Sequence, residues 1–474
     1  MPVSDVTVAG TTPWGDFGRR LKYFRRRAGL TQHQLGLRMG YHHSLISKWE
    51  SGLRELPAEL VRHLDSVLGT GGELAAIVAG ERVGAEERRT RSPLDPALFA
   101  PMPGGRGPHR SSPPVPGDWP SRLSPRWVRC PLHGAAECPV PALDDLPALL
   151  AEVHAAAVAR VPVAVDPEVV HALAGLLDRC LRTALHTTST AVLGTVEQVL
   201  RALVGWAQAV NAAGKLPYEQ LWLAARYAQL AGRLRMHREQ SGIAMAWFGH
   251  GLRWAEACQD LPARAVLLAE MCTLARLDGD GASALGYAQA LAVLDGRRTW
   301  IGMLAHAYQA RGCAVLGEGP EARRRIALSR RSLVRLDQRD LDEAPWLAGC
   351  GGELRVESAA GGALRDLAAA TGDRATARRA VEATLRALDQ VPAEMLPARL
   401  LLTVRLADGY ACAGDPAAAL AVVAPALEQA VPARRLTVAR ELTGLTARLA
   451  SGWGELREVR EFRERVRELA GGQR

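Results

Sequence analysis

Thirteen of the chain's 28 prolines fall between residues 91 and 141, together with five glycines and the run Ser111-Ser112-Pro113-Pro114. Proline removes a backbone donor and blocks helix interiors, so this stretch cannot build a core. It divides 474 residues into a short head and a long body. Residues 86–140 read as a flexible or extended linker, long enough for the head to search independently of the body. The 48% hydrophobic content is ordinary for buried cores on either side of it.

Charge is unevenly placed. The formal net charge is +9, but nine Lys or Arg face two acids between Asp16 and Arg54, which is +7 in 39 residues. Such a density suits a phosphate backbone and also a solvated helix face, so the local pattern has to decide. No apolar stretch approaches the ~20 residues of a membrane span, and no basic start with an apolar run marks a secretory signal. The eight cysteines (130, 138, 180, 258, 272, 313, 350 and 412) are scattered, and free thiols in a reducing cytoplasm are expected. Membrane, fibrous and disulfide-stapled classes are excluded.

Within the basic block the apolar spacing predicts three short helices. Phe17, Leu21 and Phe24 share one face of a helix over residues 16–28, which Gly29 ends. Thr31 stands at an N-cap position for a second helix, Gln32 to Met39, with Leu35 and Met39 inward. After the Gly40-Tyr41 turn, His42 or His43 opens a third helix that buries Leu45, Ile46 and Trp49 and closes at Ser51-Gly52.

Gly29-Leu30-Thr31-Gln32, Leu35, Met39-Gly40-Tyr41 and the run Ser44 to Gly52 carry a resemblance to the helix-turn-helix of the Cro/C1-type (XRE) repressor family, over about residues 16–68. The resemblance implies a five-helix domain at 14–80 that binds double-stranded DNA, with helix 42–51 in the major groove. His43, Ser44, Ser47 and Lys48 would then reach base edges, where Ser donates or accepts and Lys approaches guanine O6 and N7. Gln32 would touch phosphate and brace the reading helix, and Ser51 and Arg54 would add phosphate contacts. Thr31 and His42 complete the candidate set. His42 stands where the family often has a capping residue, and His43 where it more usually has Gln or Arg, so the target sequence does not carry over.

At the end of the proline-rich stretch, Cys130, His133 and Cys138 could supply three zinc ligands, with no obvious fourth. An ordered loop with two free thiols is the plainer reading.

From residue 141 to 471 the pattern is helical throughout, with Ala-, Leu- and Arg-rich runs separated by Gly-Asp, Gly-Glu or proline breaks. Breaks at Arg238-Glu239, Asp278-Gly279-Asp280, Gly317-Glu318, Gly372-Asp373 and Gly414-Asp415 lie 40, 38, 55 and 42 residues apart. The long step implies an insertion around Asp337 to Gly352. Each unit reads as helix, turn and helix, with a small residue where the pair crosses. This resembles the tetratricopeptide repeat, clearest over 217–432, although the periods exceed its 34 residues. An all-α chain is expected, with an α-solenoid or an irregular helical bundle as its body.

Together, head and body resemble large actinobacterial regulators. That resemblance implies a cytoplasmic transcription factor whose body forms a homodimer and senses a small-molecule or peptide effector. A related group clamps peptide backbones with asparagines, whereas this chain has Asn211 alone. Trp222, Tyr227, Arg233, Trp247 and Trp254 could instead line a ligand groove, although tryptophans at such spacing are more often packing residues. No phosphate loop, nucleophile elbow or His-Glu-x-x-His helix occurs, so neither catalysis nor a cofactor is expected. Two roles remain: a sequence-specific regulator, or a repeat scaffold whose main business is a partner protein.

Overall fold

The computed structural model describes residues 13–41, 43–51, 56–78, 94–99, 167–186, 192–431 and 435–471, with isolated positions between 148 and 155. Among the described residues the structure is all-helical, without strands. Two compact units divide at Pro93.

The first unit holds α1 (Pro13–Arg27), α2 (Gln32–Met39), α3 (His43–Glu50), α4 (Ala58–Leu68) and a last helical stretch at 73–78. Phe17, Leu21 and Phe24 of α1 meet Leu35 and Met39 of α2 and Ile46 and Trp49 of α3 in one core, closed by Val61, Leu64, Leu74 and Val78. The helix spacing read from the sequence points these side chains inward, and only Leu45 remains half-buried. α1 crosses the end of α3 so closely that a β-carbon on Gly18 would stand 2.5 Å from the Glu50 carbonyl oxygen. Asp65 caps the last helical stretch, accepting from the amides of Leu74 at 3.0 Å and Ala75 at 2.9 Å.

The second unit is a succession of helices, most of them packed on a sequence neighbour. It begins with α5 (Pro167–His186), α6 (Leu193–Ala212), α7 (Tyr218–His237), α8 (Ser241–Ala257), α9 (Leu261–Leu277) and α10 (Gly281–Ala292). It continues with α11 (Thr299–Val315), α12 (Gly319–Val334), α13 (Gln338–Glu343), α14 (Gly351–Thr371), α15 (Arg374–Asp389) and α16 (Leu396–Ala413). Two short helices, α17 (Pro416–Val423) and α18 (Leu427–Ala430), precede α19 (Leu436–Trp453) and α20 (Arg457–Gly471).

Local chemistry explains the pairing. Between the helices of each pair the chain passes through a left-handed residue, at Glu239 (φ 60°), Gly279 (82°), Gly317 (77°), Gly372 (70°) and Gly414 (88°). Glycine takes that conformation without a β-carbon clash, which is why the sequence breaks there. The aspartate that follows caps the next helix: Asp280, Asp373 and Asp415 accept from the amides of Ser283, Ala375 and Ala418, each at 2.9 Å. Within a pair, Gly361 of α14 lets α15 approach so closely that a β-carbon would lie 2.4 Å from Thr384 Oγ1. The long step at 337–352 is filled by α13 and a 3₁₀ turn at Pro345–Leu347.

One part of the expected linker is anchored. Asn211 holds the backbone of Leu94 at both ends, accepting from its amide at 2.7 Å and donating to its carbonyl at 3.2 Å. Trp254 Nε1 donates to the Leu98 carbonyl at 2.8 Å, and Leu98 and Phe99 pack on the body's core. Within the span 86–140, expected to be a flexible or extended linker, these six residues are held against the second unit. Proline blocks a helix interior but suits a first turn, and here Pro96 opens a short 3₁₀ turn, Pro96–Phe99, that docks through its backbone. The rest of that span lies outside the described residues.

Arg435 ties the two ends of the second unit. It donates to the Ala184 carbonyl of α5 at 2.5 Å and to His237 Nε2, at the end of α7, at 3.3 Å. An imidazole that accepts from a guanidinium has to be neutral. Burial, followed by the charges of Arg435 and Arg233, pushes the His237 pKa down to about 3. The unfolded chain takes up this proton near the ordinary value of 6.5, whereas the folded chain does not until near 3. The stability present above pH 6.5 is therefore lost as pH falls towards 3, by up to about 1.4 kcal/mol per unit. Urea unfolding of His237→Gln between pH 7 and 5 is expected to show a flatter pH dependence than the parent. Identical slopes would contradict this account.

Candidate nucleic-acid interface

The site is built from its caps upward. Thr31 Oγ1 accepts from the Gln34 amide at 3.1 Å while the Thr31 amide donates to Gln34 Oε1 at 2.8 Å, a reciprocal capping box that starts α2. Gly40, left-handed at φ 74°, stops α2 and turns the chain towards α3. Ser51 donates its hydroxyl to the carbonyls of Ser47 at 2.9 Å and Lys48 at 3.1 Å, closing α3.

α3 has two distinct faces. Ile46, Trp49 and Glu50 are buried, while His43, Ser44, Ser47 and Lys48 are exposed. At the helical turn angle of about 100° per residue, those four positions cover a stripe roughly 140° wide. Trp49 belongs to the core, 2% exposed, with the Tyr41 ring set edge-on at 5.5 Å. The exposed stripe offers hydroxyls, an imidazole and one long cation, a set able to reach base edges in a groove.

What holds that stripe in place is a buried charge. Glu50 accepts from Nε and Nη2 of Arg25 of α1, the latter at 3.0 Å, and from Gln32 Nε2 of α2 at 2.9 Å. Arg25 Nη1 also donates to the Leu30 carbonyl at 2.7 Å. One carboxylate thus joins α1, α2 and α3. The sequence reading counted Arg25 among the basic residues of the footprint, but it is 7% exposed and spent inside. A single acid at the end of a reading helix, within an arginine-rich head, was the available signal.

The expected contact residues divide accordingly. Gln32 braces α3 by committing one of its two amide N–H donors to Glu50. Ser51 has committed its only hydroxyl proton to α3, leaving none to offer a phosphate oxygen. Thr31 is exposed at the start of α2. His42 and Arg54 lie outside the described residues, as do Cys130, His133 and Cys138. His33, which the sequence reading passed over, is exposed with its ring 6.1 Å from that of His43. Arg19, Lys22, Arg26, Arg27 and Arg38 are exposed on α1 and α2, whereas Arg20 donates to Glu73 at 3.1 Å.

In the second unit, the aromatic residues considered for a ligand groove lie in the packed interior. Trp247 is fully buried and donates to Glu197 at 3.1 Å; Tyr227 donates to the Leu173 carbonyl at 2.7 Å. Trp254 is likewise buried, and Trp222 packs its ring under Arg226 at 4.0 Å. Arg233 pairs with Glu270. Burial pushes the thiols of Cys180 and Cys258 up to about 12, so both behave as small hydrophobes.

Removing one partner of a buried ion pair leaves an uncompensated charge and costs about 3–5 kcal/mol. Arg25→Met should therefore loosen α1 to α3, read as faster amide hydrogen exchange of these helices in the full chain. Arg25→Met with Glu50→Gln should lose less than the two single changes together. Strict additivity would show that the pair does not couple.

Among the described residues, no helix is long and apolar enough to cross a membrane. No curated protein and no solved structure shows significant similarity to the chain. Residues 16–77 match the family model of a helix-turn-helix domain, so the unit that presents the α3 stripe is a helix-turn-helix DNA-binding domain.

Proposed function

We infer that the protein is a sequence-specific transcriptional regulator of the Cro/C1 type, acting in the cytoplasm, that lays α3 in the major groove. The observation that carries this reading is the exposed stripe of His43, Ser44, Ser47 and Lys48 on a helix whose opposite face is locked by Glu50. A rigid support is what base readout needs, because a misplaced reader loses its hydrogen bonds. The exposed cations of α1 and α2 supply the sequence-independent attraction. The paired helices of the second unit fit a tetratricopeptide-like array that serves dimerisation, effector sensing or both. No catalytic step is assigned to either unit.

The test is direct. Selection from random duplexes with the full chain should enrich one motif, and a dimer should enrich two half-sites about 34–36 Å apart or a multiple of that spacing. Replacing Ser44, Ser47 and Lys48 by Ala should abolish binding to it while the circular dichroism of the body stays unchanged. Affinity should fall steeply with salt, each neutralised phosphate contributing about −0.9 to the logarithmic slope. Unchanged binding by the triple variant would sink the regulator reading and favour the partner-protein scaffold.

A further inference from the structure

The second unit carries an unbalanced cluster of cations in its interior. Arg276 of α9, Arg311 of α11, Arg355 of α14 and Arg405 of α16 line one cavity of about 210 Å³. The nearby acids are committed. Asp408 accepts from Arg365 and Arg448, both at 2.8 Å; Glu441 accepts from Arg405 at 2.9 Å; Asp366 lies 2.9 Å from Arg365. Leaving Arg355 aside, five guanidiniums meet three carboxylates.

The excess falls on two side chains. Arg311 is 6% exposed, and neither Nη1 nor Nη2 has a hydrogen-bond partner; Asp366, 3.3 Å from Nη2, is not aligned to accept. The half-buried Arg276 side chain makes no hydrogen bond or close ion pair among the described residues and feels Asp366 and Glu441 only at longer range. Burial, and then the like charge of Arg276, hold the Arg311 guanidinium well below its ordinary pKa. Arginine does not escape such a position by deprotonating, and its one paired acid, Asp366, is shared with Arg365, so the cluster has room for a further anion.

A second cavity of about 200 Å³ adjoins the first, sharing Arg355, Ser358 and Leu401 in its wall. Its wall also holds Arg233, which is paired with Glu270, and is otherwise largely apolar, with Leu354, Met395 and Leu402. The first cavity gathers four arginines, whereas the second is mainly apolar with Arg233 and Arg355 at its wall.

We propose that this double cavity binds a small amphipathic anion, its charged head between Arg276 and Arg311 and its apolar body along Leu354, Met395 and Leu402. The head supplies the carboxylate that the cluster lacks, in a setting where charge-assisted bonds are strong. The proposal deepens the sensing role inferred for the second unit and rests on it only for consequences at the DNA; binding to the protein alone is measurable whether or not the head reads an operator.

Calorimetric titration of the full chain with octanoate, octanol and inorganic phosphate tests it. Octanoate should bind one per chain, with octanol and phosphate each about tenfold weaker or more, because each supplies half of the recognition. Arg276→Gln should weaken octanoate by about tenfold or more and leave octanol unchanged. Without ligand the same variant should melt no lower than the parent, since it relieves the like-charge crowding of Arg276 with Arg311, Arg365 and Arg405. Arg276→Lys keeps the charge but loses the fork, and should fall between the two. Octanoate binding no tighter than octanol, phosphate binding as tightly as octanoate, or octanoate affinity indifferent to both Arg276 variants overturns the proposal.

Discussion

The head depends on one carboxylate. Glu50 sits at the end of the helix that presents His43, Ser44, Ser47 and Lys48, and it turns inward to take Arg25 and Gln32. The Arg25–Glu50 pair is desolvated, so it adds little net stability over a well-packed apolar pair. Its value lies in geometry. A bidentate guanidinium fixes the rotation of α3 about its own axis, and that rotation decides which side chains face outward. Gly18 completes the fit by letting α1 pass against the Glu50 carbonyl.

The second unit solves a different problem with the same materials. Left-handed turn residues followed by aspartate caps set the helix pairs, and buried Arg–carboxylate contacts join one pair to the next. Glu197 shows the balanced form of this: Arg235 holds both its oxygens at 2.7 Å and Trp247 donates at 3.1 Å. Around Arg276 and Arg311 the balance fails, and there a cavity opens. A packed interior that leaves cations unmatched beside empty space is better explained by a visitor than by stability.

Much of this was legible in the residues. Helix starts and stops followed from Thr31, Gly40, Gly279, Gly372 and Gly414, because caps and left-handed turns are local chemistry. Inward-facing positions such as Phe17, Ile46 and Trp49 followed from helical spacing. What escaped was long-range. Arg25 looks like every other arginine of the block until α3 returns Glu50 beside it. Asn211 seemed too solitary to clamp a peptide backbone, and it holds that of Leu94, 117 residues away along the chain. The tryptophans from 222 to 254 admitted both a groove and a packing reading and are buried in the core, whereas the cluster of arginines spread from 276 to 405 had no sequence signature. Residues that meet only through the fold leave no spacing to read.

Mapping where the full chain sits across its own genome, with and without the protein present, tests the central claim most directly. The account predicts discrete sites that share one motif with paired half-sites, each lost when the α3 stripe is removed. Occupancy spread without regard to sequence, or sites that persist without that stripe, would contradict it.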